Sequence, residues 1–111
     1  MKQLLALMLV MTCVGAATTI ALAAPQTWTG TISDSQCGAN HGGEVEDRAC
    51  TLRCIQIHYD YVFVTGGKVL KIANQNFGAL MEHAGHLVKL TGEQTGDAIV
   101  VSKIEMAPKP K

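Results

Sequence analysis

The residues of this 111-residue chain whose types and spacing could do chemistry fall in two nearby segments, "SDSQCGANH" and "ACTLRC". Cys37 and His41 stand four apart in the first, and Cys50 and Cys54 stand four apart in the second. Three thiols and one imidazole form a recognised closed tetrahedral set for zinc. The same sulfurs would also accept copper(I). A turn can aim Cys37 and His41 to one side, and the i, i+4 spacing sets Cys50 and Cys54, with Ile57 beyond them, on one face of a helix. In a small domain such an ion would also do structural work, because its binding free energy becomes folding free energy.

Two other chemistries compete for these residues. Cys37 could form a disulfide with Cys50 or Cys54, closing a loop of about 14–18 residues worth roughly 3 kcal/mol in the chain-entropy model. That leaves one cysteine over, and a Cys50–Cys54 bridge along one helical turn would be geometrically tight. Alternatively, Cys50 could serve a thiol-redox protein, with a helix N-terminus, Arg48 and Arg53 nearby to favour its thiolate. Against this, C-x3-C is not the C-x2-C of thioredoxin-like enzymes, and the surrounding strands do not form their βαβ unit. Asp34 reads first as the cap of the turn that follows a strand. Its other reading is an acceptor that orients the ring of His41. A weaker cluster, Met81, His83 and His86 in "MEHAGH", would offer thioether and imidazole to copper. Ordinary packing of Met81 and the favourable placement of histidine at a helix C-terminus explain those residues more simply. His58 reads as a helix-end residue for the same reason.

The elements that must position these side chains are mostly strands. "QTWTGTISD" alternates, with Trp28, Gly30 and Ile32 on one face, and Gly30 marks a bend or bulge. "GANHGG" is loop chemistry. Acidic Glu44, Glu46 and Asp47 then lead into the helical "DRACTLRCIQIH". "YDYVFVT" and "KVLKIA" flank Gly66-Gly67, a dipeptide suited to a tight hairpin. "NQNFGALMEHAG" is polar and then weakly helical, with Gly85 as the expected C-cap. "HLVKLTG" and "DAIVVSKIEM" make a last strand pair joined through "EQTG". This order predicts a mainly β fold: a small five-stranded OB-like barrel, or an open sheet. A Cys-bearing helical insert follows the first strand, and a short helix lies between the third and fourth. One domain is expected over 24–106, with the Cys/His insert at 33–58 and a flexible tail at 107–111.

The N-terminus reads as an address. "MKQ", the apolar "LLALMLVM" and "ALAAP" have the layout of a signal peptide over residues 1–23, with Ala24 as the first mature residue. Cys13 falls inside it, and the preceding "VMT" is a poor lipobox. The formal charge is zero over the whole chain and becomes −1 when Lys2 leaves with the leader. Such a balance argues against a nucleic-acid binder, which needs a basic face. It also gives no attraction to an anionic membrane once the leader is gone. A periplasmic or secreted location follows, where disulfides are allowed.

At "SDSQCG", "ACTLRC", "YVFVTGGKVLKIANQ" and "HAGHLVKLTG" the chain resembles a family of small secreted bacterial proteins of unknown function. The likeness spans nearly all of the mature chain. It implies an exported single-domain protein and, by analogy, the barrel, with Asp34, Cys37, His41, Cys50, Cys54, His83 and His86 as the shared polar positions. It brings no reaction with it. The residues themselves show no nucleophile elbow, carboxylate pair or phosphate loop, so a non-enzymatic role is expected. The expected protein is an exported β-barrel whose Cys37/His41/Cys50/Cys54 insert binds zinc or copper or is stapled by a disulfide. The alternatives are a thiol-redox protein using Cys50, or a binding module. The latter would take an unidentified oligosaccharide or peptide on Trp28, Tyr59, Tyr61 and Phe63, although at least half of these rings should face the core.

Overall fold

A strand that must serve two partners sets the architecture. In the computed structural model, which describes Gly15, residues 24–40 and residues 44–108, β1 (Gln26–Asp34) begins with the expected alternation. Gly30 and Ile32 turn inward between exposed or half-buried threonines. Its first half pairs antiparallel with β4 (Leu87–Thr95), and its second half, from Thr31 onward, pairs with β2 (Tyr61–Thr65). The changeover falls at Gly30, where a Cβ would lie 2.3 Å from the Val64 carbonyl oxygen and 2.6 Å from the Phe63 ring. Only glycine lets the two strands approach this closely at the corner.

The remaining strands close the ring. β2 turns through Gly66-Gly67, both in the left-handed region, into β3 (Lys68–Ile72). β4 turns through Gly96-Asp97 into β5 (Ala98–Met106), so β4 runs on through "EQT" where a connector was expected. Gly92 permits this: the register shifts between Thr91 and Gly92, and the strand bends at that bulge instead of ending. The resulting order, β1-β2-β3-β5-β4 with β4 back on β1, is a closed barrel with OB-like connectivity.

The parallel β3–β5 seam has only two ladder pairs, Lys71↔Ala98 and Ile72↔Ile99. Polar side chains from "NQN" extend the pairing on the two sides of β3, Asn74 toward β5 and Gln75 toward β2. The Asn74 carboxamide exchanges two 2.8 Å hydrogen bonds with the backbone of Val101, as a strand residue would. Gln75 does the same for Tyr61, accepting from its N–H at 2.7 Å and donating to its carbonyl at 2.9 Å.

Ile32, Phe63, Val88, Leu90 and Ile99 fill the interior without measurable exposure, each worth about 1.5–3 kcal/mol of burial. The short helix α2 (Ala79–Glu82), between β3 and β4, adds Leu80 to the same core. It ends at His83, two residues before the expected cap. Gly85 is left-handed for a different reason, set out below. The tail also begins later than expected, because Ala107 is buried and its N–H donates to Leu87 at 3.1 Å. Residues 109–111, the leader assigned to 1–23 apart from Gly15, and His41 lie outside the described residues. No helix among the described residues is long and apolar enough to cross a membrane.

Helix α1 (Glu44–Gln56) is the insert after β1. It stops two residues sooner than "DRACTLRCIQIH" suggests, in a Schellman motif: Tyr59 N–H donates to Cys54 O and His58 N–H to Ile55 O, both at 3.1 Å. Ile57 is therefore off the buried face, at 59% exposed. His58 takes the left-handed position usually held by glycine, with φ 76°. A side chain there costs roughly 1–2 kcal/mol, offset in part by the flexibility that glycine would add to the unfolded chain. His58→Gly is therefore expected to raise stability by about 1 kcal/mol in urea denaturation; an unchanged or lowered midpoint would mean that the imidazole makes a compensating contact.

Candidate metal centre

The end of β1 builds one half of the site. Asp34 is fully buried, and its Oδ1 accepts the N–H groups of Gln36 at 3.0 Å and Cys37 at 2.9 Å. It is thus the turn cap that its position suggested. Gly38, at φ 55°, donates its N–H to Asp34 O at 2.8 Å, and Ser33 Oγ donates to Gly38 O at 2.7 Å. Ser35 ties this turn to the strand that follows the helix: its N–H donates to Asp60 O, and its Oγ accepts from Asp60 N–H. The backbone of Cys37 is therefore held on both sides, its N–H donating to Asp34 Oδ1 and its carbonyl accepting from Asn40 N–H.

Helix α1 supplies the other half. Cys50 and Cys54 lie one turn apart, with Cys54 buried and Cys50 half-buried. Ligand atoms of Asp34, Cys37, Cys50 and Cys54 all lie within 4.8 Å of one another. Around a tetrahedral zinc with Zn–S near 2.3 Å, donor atoms sit about 3.8 Å apart. The Cys37 and Cys50 sulfurs, 3.4 Å apart, are already closer than that. All three thiols are free, and 3.4 Å is a non-bonded contact, against about 2.05 Å for a disulfide.

Proximity shapes the electrostatics. Burial, a hydrogen bond to Asp34 and the charge of that carboxylate push the Cys54 thiol up to about 12. The Cys37 thiol is also raised, chiefly by its hydrogen bond with Cys50 and then by burial and Asp34. A cluster of this kind resists gathering negative charge by itself, and a cation placed among the donors reverses the balance.

Two joints fix the helix against the barrel. The Arg48 guanidinium donates through Nη1 to the carbonyls of Met81, Glu82 and Ala84, at 3.2–3.3 Å. Gly85, at φ 77°, lies so close to α1 that a Cβ would sit 2.3 Å from Arg48 N and 2.4 Å from Arg48 Cα. Its own N–H donates to Ile32 O at 2.7 Å.

Three expectations change as a result. The residue that joins the three cysteines among the described residues is Asp34, whose position in "SDSQC" suggested a cap or an acceptor for His41; His41 lies outside them. Cys50 sits two turns into α1 instead of at its N-terminus, Arg48 donates to the carbonyls at the end of α2, and Arg53 is exposed. Met81 is 62% exposed, and the thioether in contact with His83 is that of Met106. Of the four rings considered for a stacking surface, Tyr61 and Phe63 are core residues and Trp28 is half-buried against the core, which leaves Tyr59 on the surface. No family model, curated protein or solved structure matches the chain.

Proposed function

We propose that this is a small metal-binding β-barrel protein that holds zinc through Cys37, Cys50, Cys54 and Asp34. The observation that carries this reading is the convergence of three sulfurs and a buried carboxylate, from a strand end, a turn and a helix, within 4.8 Å. Three thiolates suit zinc or copper(I), but a hard carboxylate oxygen as fourth donor favours zinc. The signal-peptide pattern and the resemblance to small secreted bacterial proteins support a periplasmic or extracellular role. A non-enzymatic role fits a site whose four donors already complete a tetrahedral set and leave no open position for substrate.

The 3.4 Å contact between Cys37 and Cys50 favours one second reading, a Cys37–Cys50 staple that leaves Cys54 as the unpaired thiol. Native mass spectrometry of the exported protein, before and after denaturation and alkylation, separates the two. Zinc binding gives a mass excess of one zinc that disappears on denaturation, with three thiols then alkylated. A metal-free mass two hydrogens light, with one thiol alkylated, establishes the staple and removes the zinc reading. The same measurement on His41→Ala tests the fourth ligand, because retained zinc assigns that place to Asp34.

A further inference from the structure

The end of the barrel away from the thiols in sequence carries a second set of soft donors. His83 caps α2, His86 lies just before β4, and Met106 is the last residue of β5. Ladder register brings them together: Met106 stands opposite Val88, and the bond from Ala107 N–H to Leu87 O anchors the strand just beyond it. His83 Nδ1 lies 3.2 Å from Met106 Sδ. The His83 and His86 rings meet edge to face, with centroids 6.0 Å apart. His86 N–H donates to His83 O at 2.9 Å, which holds the two residues in one tight turn.

A purely structural role explains only part of this arrangement. His83 is accounted for by its place at the helix end, but His86 Nδ1 is buried with no hydrogen-bond partner among the described residues. A buried polar nitrogen in that state is unfavourable unless something binds it. Met106 is 48% exposed, an unusual position for a side chain serving only to fill a core. With Nδ1 protonated, His83 makes a weak N–H···S contact. In the other tautomer the nitrogen lone pair and the thioether sulfur stand side by side as donors.

We infer that His83, His86 and Met106 form a second metal site, selective for copper(I). Thioether and imidazole are the donor pair that suits this soft ion, and the absence of a thiolate or carboxylate from the set makes it a poor zinc site. The site is separate in residues and in donor chemistry from the thiol cluster. A thioether cannot be lost to a disulfide, so disulfide formation among the cysteines leaves the donors of this set in place.

The test is an anaerobic copper(I) titration of protein carrying 13C-methyl methionine, followed by NMR. The Met106 methyl, assigned by its disappearance in Met106→Leu, is expected to shift together with the His83 and His86 ring signals. The exposed Met81, in the same segment, should stay in place as an internal control. Met106→Leu should weaken the response of the histidines at least tenfold in copper concentration while leaving the rest of the spectrum folded. A Met106 methyl that does not move, or one that moves no sooner than Met81, overturns the assignment. So does a histidine response that Met106→Leu leaves unchanged.

Discussion

Gly85→Ala is expected to destabilise the protein by about 2–5 kcal/mol, from roughly 1–2 for the left-handed backbone and 1–3 for overpacking against α1. The second contribution can be isolated. Gly67 has the same φ of 77° but nothing within 4 Å of the place a Cβ would take, so Gly67→Ala bears the backbone cost alone, about 1–2 kcal/mol. The comparison by urea denaturation therefore measures how tightly α1 is seated on the barrel. The atoms in the way at Gly85 are backbone atoms of Asp47 and Arg48, which cannot rotate aside as a side chain could. If the two variants fall by the same amount, α1 yields at little cost and the helix is not rigidly docked. Because α1 carries Cys50 and Cys54, Gly85→Ala should also loosen the thiol cluster from a position remote in sequence.

Zinc should produce the other large effect. At a free concentration about a thousand times its Kd, an ion that binds only the folded state adds about 4 kcal/mol. For a domain of this size each kcal/mol moves Tm by about 4–8 °C, so a rise of about 15–30 °C is expected over the same protein in chelator. Cys50→Ser is the variant to compare, since Cys50 is only half-buried and its replacement disturbs the core least. Partners that merely orient ligands are worth about 10–100-fold in metal affinity. Losing a ligand sulfur should reach the top of that range or exceed it, leaving at most about 1.4 kcal/mol of stabilisation at the same zinc concentration. Equal melting temperatures with zinc and with chelator would remove the metal reading.

Local patterns made most of the barrel legible. Alternation gave the strands, Gly66-Gly67 gave the first hairpin, and the strand–helix order gave the connectivity. The longer β4 was hidden because Gly92 reads as a terminator, whereas the pairing of β4 with β5 turns it into a bulge. The three cysteines were visible as a site for a similarly local reason: two lie one helical turn apart, and the third follows a turn signal. Asp34 was legible as a cap or as an acceptor for His41, but not as a donor beside the thiols, because that role depends on α1 folding back over β1. Met106 could not be matched to His83 from the sequence at all. They are 23 positions apart, and only the register of two strands brings them into contact.

A ring is as stiff as its thinnest joint, and here that joint is the β3–β5 seam. Among the described residues, two ladder pairs, the Asn74 clasp and an exposed Lys71–Asp97 ion pair close it, while β4 and β5 are paired along eight positions. Parting the seam breaks few bonds and leaves untouched the β1–β2 pairing, the Asp34 turn and the seat of α1. The barrel can breathe like a split collar, opening on one side while the clasp that holds the thiols stays shut.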